Sequence, residues 1–212
     1  MFVLDFCEFR YLGPIVVRNT SCLLFILFFQ FSDPGFSQEN FYLDLSTHAL
    51  SLTEDQVTYD PSYFSIAYPN GKIPSDKGVC TDVIIRTYRK MNIDLQQLVH
   101  EDMEKHFDRY PKIWGLTRTD TNIDHRRVPN LMVFFERFGK VLPITNNPQD
   151  YRPGDIVCWN LGGAITHIGI VSAKKSISDK RHLIVHNIGA GQVVQDCLFD
   201  FKIIGHYRYE KE

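Results

Sequence analysis

The sequence predicts an α+β domain in which N-terminal helices pack on a C-terminal antiparallel β-sheet. Three observations carry this. Up to Phe138 the apolar residues recur three and four apart, the period of an amphipathic helix. From Ile156 onward they gather in short β-branched runs divided by turn formers, as antiparallel strands do. Helices first and strands after, rather than in alternation, read as α+β.

The first 37 residues differ from the rest and read as a secretory signal peptide. Arg10 and Arg18 precede the apolar run Cys22 to Phe29, which ends before Ser32-Asp33-Pro34-Gly35. The run is short for a bilayer span, and Gly35 and Ser37 suit a signal-peptidase site before Gln38. Residues 38–212 are then one domain, periplasmic or secreted, and its link to a membrane is only the export signal.

Within that domain Phe41, Leu45, Ala49 and Leu52 mark a helix between Gln38 and about Thr58. Tyr59 to Asp76 is loop, rich in turn formers such as Pro69-Asn70-Gly71. Val83, Ile84, Thr87, Tyr88 and Met91 then trace a helix from about Thr81 to Met91. Helices over Leu95 to Phe107 and Val128 to Phe138 flank an irregular region. Tyr151-Arg152-Pro153-Gly154-Asp155 opens the strand Ile156 to Trp159. Ile165–Val171, His182–His186, Gln192–Cys197 and Ile203–Tyr209 follow as further strands.

Composition narrows the function. With 212 residues, 44% of them hydrophobic, the chain can bury a substantial core, and a monomer is expected. Twenty-three basic residues stand against 25 acidic, and no basic run is interleaved with aromatics, so nucleic-acid binding lacks its electrostatic footprint. Loss of the leader removes Cys7 and Cys22 and leaves Cys80, Cys158 and Cys197, an odd number. Cys158 and Cys197 either bridge beside a free Cys80 or stay as two buried thiols, the commoner arrangement.

The chemistry centres on Gly78-Val79-Cys80-Thr81-Asp82, where a loop becomes a helix. A helix N-terminus carries roughly half a positive charge, which favours thiolate over thiol and makes Cys80 a candidate nucleophile. His167 and His186 lie in β-branched runs that read as strands. A helix-tip cysteine facing a strand histidine, itself oriented by a second polar group, is the logic of acyl transfer. His186 and Asn187 point to opposite strand faces, so one of them orients His167. The oxyanion would be met by the backbone N–H of Cys80.

Asp124-His125-Arg126-Arg127 is a dense polar cluster whose arginine pair could grip substrate carboxylates, or else brace the loop internally. Trp159 and Asn160 are candidates to line the same cleft. His100-Glu101-Asp102-Met103-Glu104 fails the zinc-protease spacing, because Glu104 stands where the second histidine belongs. A zinc site built from Cys80, His167 and His186 would need a fourth ligand, and no metal or cofactor is expected.

The order helix-tip cysteine, Pro-Gly-Asp strand, His-apolar-Gly-apolar strand and apolar-His strand resembles the NlpC-type cell-wall peptidases of the papain-like superfamily. That resemblance covers roughly Tyr68 to Tyr209. Gly78 to Arg86, Asn122 to Asn130, Arg152 to Gly163 and His186 to Gly191 are also similar to the YijF-like family of secreted bacterial proteins of unknown function. The NlpC resemblance implies a papain-like fold, with nucleophile Cys80, base His167, orienting residue His186 and an oxyanion-assisting hydroxyl at Tyr68. It departs where those peptidases carry Asp-Cys-Ser-Gly and this chain has Val79-Cys80-Thr81-Asp82.

The expected function is therefore an exported cysteine hydrolase, a peptidoglycan amidase or endopeptidase with a Cys-His-His triad. The alternatives are a non-hydrolytic cell-envelope binding module with the same cleft, or an acyltransferase on the same scaffold.

Overall fold

A computed structural model describes residues 34–178 and 180–211. The leader read over residues 1–37, with Cys7 and Cys22, lies outside the described residues except for its last four positions, which already belong to the first helix.

That helix, α1 (Pro34–Ser51), turns Tyr42, Leu45 and Ala49 inward and continues through a 3-10 turn at Leu52–Glu54. It ends earlier than the predicted Thr58, because residues 58 and 59 are taken into a two-residue strand, β1 (Thr58–Tyr59). This strand pairs in parallel with β2 (Lys77–Gly78) and pins the loop between them to the start of the next helix.

The helix α2 (Cys80–Lys90) presents Val83, Ile84, Thr87 and Tyr88 to the core, as predicted. Asp82 sets its first turn: its carboxylate accepts the Val79 N–H at 2.8 Å, covering one backbone donor that helix geometry leaves open. Next come α3 (Leu95–Lys105), capped by the Asp94 side chain on the Gln96 N–H, and α4 (Val128–Phe138), with proline in its first turn.

The last third is a fully antiparallel sheet of six strands. They are β3 (Lys140–Val141), β4 (Ile156–Gly162), β5 (Ile165–Lys175), β6 (His182–His186), β7 (Val193–Gln195) and β8 (Lys202–Arg208), in the order β3-β8-β4-β5-β6-β7. The fold is α+β with an antiparallel sheet. Alternation along β4 sends Ile156 and Cys158 into the main core beneath the helices, while Val157 and Trp159 join a second cluster with Val171, Ile184 and Cys197. Asp155, from the Pro-Gly-Asp turn, is fully buried and bonds His206 Nε2 at 2.7 Å, Arg208 Nε and the Arg152 N–H, tying that turn to β8. No helix among the described residues is long and apolar enough to cross a membrane.

Candidate active site

Cys80 is the first residue of α2, where the β1–β2 pairing delivers the chain to the sheet. It is 8% exposed and opens onto a cleft of about 350 Å³ that also meets Tyr59, Trp114, Arg126, Arg127 and Thr166. Three backbone N–H groups, those of Ile168, Thr81 and Cys80 itself, favour negative charge on its sulfur. Burial outweighs them and pushes the thiol up to about 11. The helix-tip argument alone predicts the reverse; the partial charge is present, but the sulfur has lost its water. At neutral pH Cys80 rests as a thiol and needs a base to become a nucleophile.

The histidine expected as the base is placed by β5, beside β6. His167 Nε2 meets His186 Nδ1 at 2.8 Å, and His186 Nε2 meets Gln195 Oε1, on β7, at 2.8 Å, with the Cys197 sulfur at 3.6 Å. These bonds fix the protons. An amide oxygen only accepts, so His186 carries its hydrogen on Nε2 and leaves Nδ1 bare. His167 must then donate from Nε2, and its Nδ1 is left as the proton acceptor. The thiol lies at the N–H of Ile168, the residue after His167, and no hydrogen bond joins it to the imidazole in this resting arrangement. Burial, with the neighbouring His186, holds His167 down at about 3, so the ring is neutral across the physiological range.

Gly169 makes this approach possible. A Cβ there would stand 2.7 Å from Ile184 Cγ2 and 3.2 Å from His186 Cβ, forcing β5 away from β6 where the two histidines meet. The Trp159 ring lies 5.7 Å from His167 on the other flank.

Asn187, the alternative to His186, is turned elsewhere. Its Nδ2 donates to the Gly78 carbonyl at 3.1 Å and so holds the loop that leads into Cys80. Tyr68 packs edge-on against His100, 5.0 Å between ring centres, and does not line the cleft; the tyrosine that does is Tyr59. Burial raises the phenol pKa of Tyr59, and the neighbouring Cys80 and Asp82 add to it.

The cluster at 124–127 divides. Asp124 is internal, accepting the Asp120 N–H at 2.7 Å and meeting His100 Nδ1 at 3.0 Å. His125 is buried and faces a different cavity. Arg126 grips Asp82 with Nε and Nη2, both at 3.1 Å, and so braces the carboxylate that starts α2. Arg127 also lines the cleft, its guanidinium stacked 4.2 Å over the Trp114 ring. Trp159 is core, its Nε1 donating to the Leu198 carbonyl, and Asn160 builds the β4–β5 turn through Gly162 and Gly163. Sequence reasoning missed Tyr59, Asp82, Trp114 and Gln195; of these, Asp82 alone carried a local signal, as an acid in the first turn of a helix.

All three cysteines of the described chain are free and buried, so Cys158 and Cys197 are not bridged. Facing imidazole nitrogens 2.8 Å apart share a proton and cannot both ligate one ion, which argues against zinc on Cys80, His167 and His186.

The model of a domain of unknown function, DUF1287, matches residues 46–209. The chain is 48% identical over 172 residues to the uncharacterized protein YijF of Escherichia coli strain K12, covering 81% of this chain and 83% of that one. No solved structure matches it.

Proposed function

We propose that this chain, which belongs to the DUF1287 family, is an exported cysteine hydrolase with a papain-like, NlpC-type active site that cleaves an amide in cell-wall peptide. One observation carries the reading: burial keeps His167 neutral, and the run of bonds from Gln195 through His186 leaves its Nδ1 free to take a proton, one residue from the amide that holds the Cys80 thiol.

In this mechanism His167 Nδ1 takes the thiol proton as the sulfur attacks the scissile carbonyl. The oxyanion is met by the Cys80 N–H, with the Tyr59 hydroxyl beside it. The imidazolium then protonates the leaving amine, a thioester remains on Cys80, and water deprotonated by the same ring releases it. His186 stabilises the imidazolium by accepting from Nε2, and Gln195 holds His186 in the tautomer that can accept. Because the resting pair is thiol and neutral imidazole, proton transfer accompanies attack instead of preceding it.

The substrate assignment rests on the cleft. The Arg127 guanidinium over Trp114 offers a cation and an aromatic face to an acidic peptide, as a peptidoglycan stem would require. Export rests on the leader read from residues 1–37. The protonated thiol, unbonded to His167, favours the binding-module alternative, and the two readings part on product formation. Mass spectrometry of muropeptides after digestion of purified peptidoglycan by wild type and by Cys80→Ala decides: new, Cys80-dependent fragments support hydrolysis, and identical profiles overturn it.

A further inference from the structure

A second cavity of about 350 Å³ lies against the later turns of α2 and shares no residue with the Cys80 cleft. Its wall is apolar where Leu52, Ile66, Ile73 and Ile85 meet. Lys72, Arg86, Arg89 and Lys90 line it against only Asp55 and Asp82, so positive charge is in excess.

The cations are not equally engaged. Arg86 is committed to the protein, donating to Gln192 Oε1, the Pro74 carbonyl and the Lys77 carbonyl. Lys90 donates to the Ser51 hydroxyl. Arg89 is half used: Nη2 donates to Asp94 at 3.1 Å, while its Nε is buried with no partner. Lys72 is exposed at the rim. His125, only 2% exposed, also lines the cavity, and its Nδ1 is buried without a partner. Folded proteins rarely leave buried polar atoms unpaired, and each such atom calls for an explanation. Here two of them belong to residues lining one cationic cavity. Burial, with Arg89 and Arg126 near, keeps the His125 ring neutral, so it can offer an N–H but not a second charge.

We propose that this cavity binds a small amphipathic carboxylate, its two oxygens taking the open N–H groups of Arg89 and His125 and its apolar body lying along Ile66 and Ile73. Two open donors match the two oxygens of a carboxylate, and the apolar wall has no use in holding inorganic phosphate. The site does not depend on the hydrolase reading.

The test is calorimetric titration of the full chain with sodium octanoate, octanamide, octylammonium and inorganic phosphate. Octanoate alone should bind saturably, and the imidazole nitrogen resonance of His125 should shift with occupancy. Lys72→Glu, at an exposed rim position, should leave the fold intact and weaken octanoate about tenfold. The proposal is overturned if octanoate fails to saturate, if octanamide or octylammonium binds as well, if phosphate binds more tightly, or if the His125 resonance stays fixed while octanoate binds. His125→Leu should abolish binding; should it fail to fold, the Lys72→Glu titration and the His125 resonance still decide.

Discussion

Lowering the pH from about 6 to about 5 should weaken the fold by about 2.5 kcal/mol, the linkage expected when unfolding takes up nearly two protons. The two protons belong to His125 and His167. Each is held at about 3 in the folded state, against 6.5 when solvated, and burial is the main cause at both. Arg89 and Arg126 add to it at His125, and His186 at His167. Between those values each ring is neutral when folded and charged when unfolded. Their contribution to stability is therefore complete above the unfolded pKa and is lost as the pH falls toward the folded one. Both residues are at least 96% buried, so solvent screens little of this. His186 is displaced the same way and adds to the loss. Asp124 acts in the opposite sense, its carboxyl raised chiefly by burial, and offsets part of the loss. The assay is urea unfolding at the two pH values, followed by the fluorescence of buried Trp159. His125→Leu should cut the difference to about 1.2 kcal/mol, one proton's worth. Equal stability at the two pH values, or greater stability at the lower, would refute the assignment of these rings as buried and neutral.

Other consequences follow from the same contacts. Asp82→Asn leaves the Arg126 guanidinium buried without its counter-charge, and should cost about 3 kcal/mol in urea unfolding. Gln195→Leu frees His186 to take the other tautomer; hydrolysis of a chromogenic ester should slow about tenfold while stability falls by only about 1 kcal/mol, and Gln195→Glu, which still accepts, should retain the rate. Arg127→Ala should raise KM for an acidic peptide about tenfold with kcat held, the pattern of a lost binding contact.

How legible this molecule was depended on how local each cause is. β6 and α4 lie where the apolar spacing places them, to the residue: α4 buries one face, and β6 sends Val185 and Ile184 into the two cores on opposite sides of the sheet. β4 runs past its expected end at Trp159 through a bulge between Asn160 and Gly162 on the way to the hairpin turn, and β5 runs past Val171 at its other end, where it stays paired with β6 as far as Lys175 and His182. Strands of two residues, β1 to β3, are too short to leave a period. The site divides in the same way. Cys80, His167 and His186 stand out from residue type and local pattern, but Asp82 and Arg126 are 44 residues apart, and nothing in the cluster at 124–127 shows which arginine is spent. Tyr59 reaches the cleft through a two-residue pairing with Gly78, whereas Tyr68 goes to His100. The raised thiol pKa could not be read from a helix tip, because burial is set by the whole packed core.

The central claim, that Cys80 is acylated with His167 as its base, is tested most directly by mass spectrometry of the intact protein during turnover of an activated peptide ester. A thioester should accumulate on Cys80 in wild type at neutral pH, and slow by at least about a hundredfold in His167→Ala, the scale of a lost general base. Acylation at Cys158 or Cys197, or an unchanged rate on Cys80 without the imidazole, would contradict it.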